Sequence, residues 1–239
     1  MPDLNLSRLA NDLYRLPIPG GPAHLLNAYL WREEEEITLI DTGWAGSAPL
    51  FDEALRQLGR SRSDVKRIVL THFHEDHAGS AAEIARWGDV EIIAGAADAP
   101  FVSGTLPGPL PQLTDSERTI HADSEDPPQG PPCRVDREVH GGDVLDFAGG
   151  ARVIEAQGHT PGSIALYLPA ANTVLTGDAV AEFNGEVILG VFNTDREAAR
   201  QSLAQIAETK AQIAGFGHGN PILKDAYRFI REAQDPFAA

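Results

Sequence analysis

Eight histidines occur in the 239-residue chain, and three of them fall within six positions of the stretch IVLTHFHEDHAGSAAEIARW, residues 68–87. His72, His74 and His77 share that window with Glu75 and Asp76. Imidazole and carboxylate side chains together suit zinc, and equally iron or manganese. A short β-branched run, RIVL, precedes them. If the chain stays extended through residues 71–76, alternation points His72, His74 and Asp76 the same way. His77 falls where the chain turns into the next helix, so it can swing towards a neighbouring point. Four ligand-type groups at this density can supply parts of two metal sites rather than one. The bland alternative is a solvated polar loop, which would leave the rest of the chain indifferent.

The rest is not indifferent. AQGHTPGS places His159 just after a strand, on a turn whose Pro161–Gly162 order favours type II. VLTGDAV sets Asp178 after another strand, beside a glycine, and GFGHGNP holds His218 between two more. Each is a lone ligand-type residue at a strand end where a small neighbour lets something approach the backbone.

The elements that must position these groups are readable from periodicity. HLLNAYLW and ITLID are strands around an acidic turn, Glu33–Glu36. SAPLFDEALRQLG spaces Leu50, Phe51, Ala54, Leu55 and Leu58 as a helix, closed by Gly59. AGSAAEIARW is expected as one helix and VEIIAG as a strand. Residues 100–134 carry eight prolines, which predicts a long loop or lid with room for one short helix. RVDREV, VLDF, ARVIEA, SIALYL and TVLTG follow as strands. TDREAARQSLAQIAE is a helix capped by Thr194 that buries Ala198, Leu203, Ile206 and Ala207. AQIAGFG and KDAYRFIREA read as a last strand and a last helix. Two packed sheets with helices outside, in a single domain over residues 1–239, satisfy this order.

Composition narrows the function classes. An apolar fraction of 42% and a charged fraction of 23% are those of a globular protein. No apolar run approaches the length of a membrane span, and the N-terminus lacks a signal-peptide pattern, so the cytoplasm is the expected location. A formal charge of −16 opposes a nucleic-acid partner, and a small-molecule substrate is expected instead. Cys133 is the only cysteine, which excludes an intrachain disulfide and a cysteine-built metal cage. It reads as a chance free thiol.

THFHEDH, followed in order by GHTPGS, TGD and GHG, with LIDTG upstream, resembles the metallo-β-lactamase-fold hydrolase superfamily over roughly residues 24–222. The resemblance implies an α+β fold, a four-layer αββα sandwich with its site at one edge. It implies that His72, His74 and His159 bind a first metal, that Asp76, His77 and His218 bind a second, and that Asp178 bridges both. Asp41 of LIDTG matches a position that supports the ligands through hydrogen bonds. Two Zn2+ per chain are expected, with iron or manganese as substitutes. Two such cations share a hydroxide readily, which points to metal-assisted hydrolysis with Asp76 taking or delivering the proton. His24, His121 and His140 read as bystanders.

Substrate class is narrowed by departures from particular branches. True class B β-lactamases do not use a bridging aspartate where Asp178 stands. The ligands are similar to those of the hydroxyacylglutathione hydrolase (glyoxalase II-like) and lactonase branches. The short segment after His218 leaves little room for the helices that grip glutathione in the former, and AVAEF after Asp178 lacks the tyrosine frequent in the latter. A small ester, lactone or thioester is the expected substrate. The alternatives are a mononuclear iron oxygenase resembling the persulfide dioxygenases, using His72, His159 and Asp178, and a non-catalytic metal-binding module. The 100–134 loop and the segment EFNGEVILGVFN are expected to wall the cleft, with Asn27, Phe183, Ile188 and Phe192 as candidate substrate contacts.

Overall fold

A computed structural model describes residues 6–19, 26–122 and 129–239. His24 and the side chain of His121 lie outside the described part.

Seven strands form one sheet in sequence order: β1 (Ser7–Arg8), β2 (Leu13–Ile18), β3 (Leu26–Arg32), β4 (Ile37–Ile40), β5 (Val65–Leu70), β6 (Glu91–Gly95) and β7 (Arg137–Val139). The first four pair antiparallel, and β4 to β7 pair parallel. The second sheet is built from β8 (Val144–Leu145), β9 (Ala151–Glu155), β10 (Ile164–Leu168) and β11 (Thr173–Leu175). A separate hairpin, β12 (Val180–Phe183) and β13 (Glu186–Leu189), turns at Asn184 and Gly185, both with positive φ. The chain then returns as β14 (Ile213–Gly215), which adds to β11 in parallel.

The helices are α1 (Ala48–Gln57), α2 (Glu75–Ala78), α3 (Ala81–Ile84), α4 (Ala99–Val102), α5 (Asp115–Ala122), α6 (Arg196–Glu208) and α7 (Ala226–Arg231). None of the described helices is long and apolar enough to cross a membrane.

Strand alternation sorts the apolar residues into three cores, which defines four layers. Leu39, Ile68, Leu70 and Ile92 face outward onto Phe51, Ala54 and Leu55 of α1. Their neighbours Ile40, Val69 and Ile93 face inward, against Val153, Ile164, Leu166 and Leu175 of the second sheet. Beyond that sheet, Ala165, Val174 and Ala214 meet Ile206, Ala207 and Ile230 of α6 and α7. Both faces of β4, β5 and β6 are therefore covered, as parallel strands require. This is the αββα sandwich that the sequence predicts.

Several elements depart from expectation. Of AGSAAEIARW, residues 78–87, only Ala81–Ile84 forms a separate helix, α3, while Ala78 closes α2; between them Ser80 donates its hydroxyl to Trp44 O (2.6 Å) and accepts the Ser47 amide (2.9 Å), pressing the chain onto that turn. Residues 100–134 hold the whole of α5 as well as part of α4. The cap of α6 is Asp195, not Thr194: the Asp195 carboxylate accepts the Ala198 amide, while the Thr194 hydroxyl donates to Gly158 O. Its buried positions are Ala199, Ser202, Ile206 and Ala207. Strand β2 goes unforeseen because Pro17 interrupts it. Pro17 faces Asn27, whose own amide points away to Gly217 O, and the β1 partner stops at Arg15. The missing proline N–H thus falls where no strand needs it.

Candidate metal centre

The C-terminal ends of β4, β5, β6, β9, β11 and β14 lie at one edge of the sandwich, and within a few residues of those ends stand Asp41, His72, Asp98, His159, Asp178 and His218. Cross-sheet bonds close this edge. Ile164 N–H donates to Thr71 O (2.9 Å), Asn27 N–H to Gly217 O (2.8 Å) and the Tyr29 hydroxyl to Phe216 O (2.7 Å).

The seven candidate ligands meet there as two groups. His72, His74 and His159 form one; Asp76, His77, Asp178 and His218 form the other, and within each group the donor atoms lie within 4.8 Å of one another. The first three rings stand edge to face, with centroids 4.7–4.8 Å apart. Asp178 lies between the groups: its carboxylate is 3.2 Å from His77 Nε2, 3.3 Å from His218 Nε2 and 3.7 Å from His159 Nε2. Asp76 reaches His218 Nε2 at 3.1 Å.

The division follows from local backbone geometry. Extension ends at His74, which caps α2, so the expected alternation holds for His72 and His74 only. Asp76 and His77 project from the helical turn and reach the second group instead. The turn after β9 is not type II either, since Gly162 lacks a positive φ. That glycine is needed for space, because a Cβ there would stand 2.2 Å from Asp98 N. At Gly217 a Cβ would stand 2.0 Å from Asp178 Oδ1 and 2.6 Å from His77 Cε1, so any side chain would fill the site.

Outer hydrogen bonds orient the rings. Asp41, buried in the left-handed region, accepts the Thr71 amide (2.7 Å), the Thr71 hydroxyl (2.7 Å) and His77 Nδ1–H (2.8 Å). The Thr71 hydroxyl is thereby left to accept from His72 Nδ1, 3.1 Å away. His159 Nδ1–H donates to Val191 O (3.0 Å). In all three residues Nε2 is then the inward atom.

Burial and charge set the protonation states. Burial pushes His72 well down, with His77 and His159 adding to it, lowers His74, and takes His159 down to about 3, so these imidazoles are neutral. In the second group burial opposes charge but loses. Asp178, Asp76 and Asp41 hold His77 well up, and Asp178 and Asp76 lift His218 to about 10. His77 and His218 hold Asp76 down to about 2, and His218 and His77 keep Asp178 well below the usual range.

The residues fit a cation. His72 Nε2, His77 Nε2 and Asp178 Oδ1 are buried without a hydrogen-bond partner; although His77 Nε2 and Asp178 Oδ1 are close, they are not aligned to bond. Each such atom costs about 1–3 kcal/mol when left unsatisfied. The donor set is nitrogen and oxygen without sulfur, which suits zinc, iron or manganese.

Asp98 was not singled out by the sequence. Its buried carboxylate accepts Phe73 N–H (3.1 Å), the Thr160 hydroxyl (2.6 Å) and Gly162 N–H (2.7 Å), clamping the His72–His74 stretch to the His159 turn. Burial pushes it up to about 6 despite those bonds. The one available signal was an acid shortly after an apolar strand, in EIIAGAADAP.

Among the expected substrate contacts, Asn27 is buried with its amide wholly engaged. It accepts from Arg15 Nε (2.7 Å) and donates to Phe216 O (3.0 Å) and Gly219 O (2.8 Å), bracing the turn that carries His218. Ile188 is buried too. Phe183 is exposed, with its ring 6.0 Å from that of Phe237, and Phe192 is half-buried with φ 60°. Cys133 is buried and its thiol is pushed up to about 11 by burial, which keeps it unreactive. His140 is exposed.

Known proteins resemble the chain in sequence and fold. The chain is 28% identical over 233 residues to the probable metallo-hydrolase YflN of Bacillus subtilis, covering 88% of this chain and 87% of that one. It is 29% identical over 154 residues to a hydroxyacylglutathione hydrolase of Rhodobacter capsulatus, covering 64% and 47%. The crystal structure of the metallo-beta-lactamase family protein TTHA1429 of Thermus thermophilus superposes with a TM-score of 0.71 at 26% identity, covering 94% and 79%. The Rm3 metallo-beta-lactamase, at 22% identity and a TM-score of 0.71 over 90% and 78%, shares the fold. Residues 22–218 match the family model of the metallo-beta-lactamase superfamily, and the chain belongs to that superfamily.

Proposed function

We propose that the chain is a dinuclear metal-dependent hydrolase of a small ester, lactone or thioester. One observation carries the reading: Asp178 of the second donor group also comes within 3.7 Å of His159 in the first, and each group holds a buried histidine Nε2 without a hydrogen-bond partner. His72, His74 and His159 would hold one cation, Asp76, His77 and His218 the other, with Asp178 reaching both. Bound there, divalent cations supply Lewis acidity, which acidifies water and polarises a carbonyl.

The chain's own residues do the rest. Asp41 and Val191 O fix the ring tilts of His77 and His159, so that both Nε2 atoms point inward. Asp76 is ionised and partly exposed, and would accept a proton from water. The metallo-hydrolase relative supports hydrolysis, and the hydroxyacylglutathione hydrolase relative supports an ester-type bond as the target. Likeness to the β-lactamase structures extends to the fold alone.

The test is a panel of chromogenic esters, lactones and thioesters offered to zinc-loaded protein. Turnover that tracks two zinc per chain and disappears with a chelator is the expected result. One iron per chain with oxygen uptake would make it an oxygenase instead, and an inert, fully loaded protein would make it a binding module.

A further inference from the structure

Glu117 is fully buried, although the segment around it is polar. Its Oε1 accepts Phe192 N–H (2.8 Å) and forms a short ion pair with Arg196, and its Oε2 accepts Thr114 N–H (3.0 Å). Arg196 continues to Asp235 (2.5 Å), which also holds Arg200 (2.7 Å). Buried ion pairs seldom outdo apolar packing in stability, so such a network points to a demand for geometry.

The geometry concerns Phe192. Its φ of 60° places a bulky side chain in the left-handed region, a strained state that persists only where neighbours over-determine it. On one side Val191 O accepts His159 Nδ1–H (3.0 Å). On the other, Asn193 O accepts Gln112 N–H (2.8 Å), and Thr194 N–H donates to His159 O (3.1 Å). One short turn therefore grips His159 by its ring and by its backbone, and Glu117 grips that turn.

We propose that Glu117 is a positioning residue for His159: it fixes the strained Val191–Phe192 turn, whose carbonyl keeps the imidazole protonated at Nδ1 with Nε2 facing the first cation site. Through Gln112 and Thr114 the chain before Glu117 is tied to the same turn. The proposal rests on His159 being a metal ligand.

The experiment compares wild type with Glu117→Ala and with Glu117→Gln, which keeps the volume and an acceptor. In metal-free protein, 15N NMR of His159 should show the Nδ1–H tautomer, giving way to a mixture in Glu117→Ala. Cobalt titration should show one of two equivalents weakened about 10–100-fold, as for other outer hydrogen-bond partners, with the other unchanged. Glu117→Gln should fold and show a smaller loss in the same equivalent. An unchanged tautomer with unchanged affinity overturns the proposal, as does equal weakening of both equivalents alongside a lower Tm. If His159→Ala keeps both equivalents, the ligand reading itself fails, whatever the tautomer result.

Discussion

His72, His74 and His159 share one edge of the sandwich with Asp76, His77, Asp178 and His218, yet the two groups hold protons in opposite ways. Burial acts on both. In the first group nothing outweighs it, so the imidazoles stay neutral and offer lone pairs. In the second, carboxylates outweigh it, and His77 and His218 keep protons where the second cation is proposed. One half is poised to bind a cation directly; the other must first release protons.

The harshest way to break this contrast is Asp178→Ala, since that carboxylate comes close to histidines of both halves. Both equivalents of metal should be lost, with kcat/KM falling by about 1,000-fold or more, on the order of removing a charge-stabilising group. Retention of either equivalent by inductively coupled plasma analysis would show the halves to be independent.

Proton release sharpens the contrast further. His218 is raised to about 10, so cation uptake by the second half should expel protons at neutral pH, and its affinity should rise about tenfold per pH unit for each proton released. His159, lowered to about 3, should make the first half flat over the same range. Calorimetric titrations in buffers of different ionisation enthalpy separate the two. The sign for stability follows from the same group. A raised histidine contributes fully below its ordinary 6.5 and loses that contribution as pH rises through about 10, so the metal-free protein should melt lower at pH 10 than at pH 6.

The candidate ligands were legible because ligand-type side chains crowd into THFHEDH and recur singly at later strand ends. Their division was not, because it depends on the chain leaving extension at His74, and nothing in HEDH marks that point. The layers were legible from apolar strands such as ITLI and RIVL. The break at Gly79–Ser80 was not, since Ser80 is claimed by Trp44, distant in sequence. Likewise, Asp98 and Glu117 act by hydrogen bonds across loops, which leave no periodicity to read.

A smaller effect is expected from Asp41→Asn. Asparagine tolerates the left-handed backbone at Asp41 but loses the charge that orients His77. The second equivalent should weaken about 10–100-fold by cobalt titration, and the first by less, through Thr71 and His72. Loss of the first equivalent instead would place Asp41 with the wrong half.

The smallest effect separates fold from site. Asp195→Ala removes the cap of α6 and should cost about 1 kcal/mol in a denaturant melt with both metals retained. Asp195→Ala should also speed hydrogen exchange at the Ala198 amide while Thr194→Ala leaves it protected, and the reverse would return the cap to Thr194.

The central claim, seven side chains enclosing two cations with Asp178 shared, is tested most directly by anomalous diffraction at the zinc edge from crystals grown with zinc. Two peaks per chain are predicted, one bonded to His72, His74 and His159, the other to Asp76, His77 and His218, each also within bonding distance of Asp178. A single peak, or two that Asp178 does not join, would contradict it.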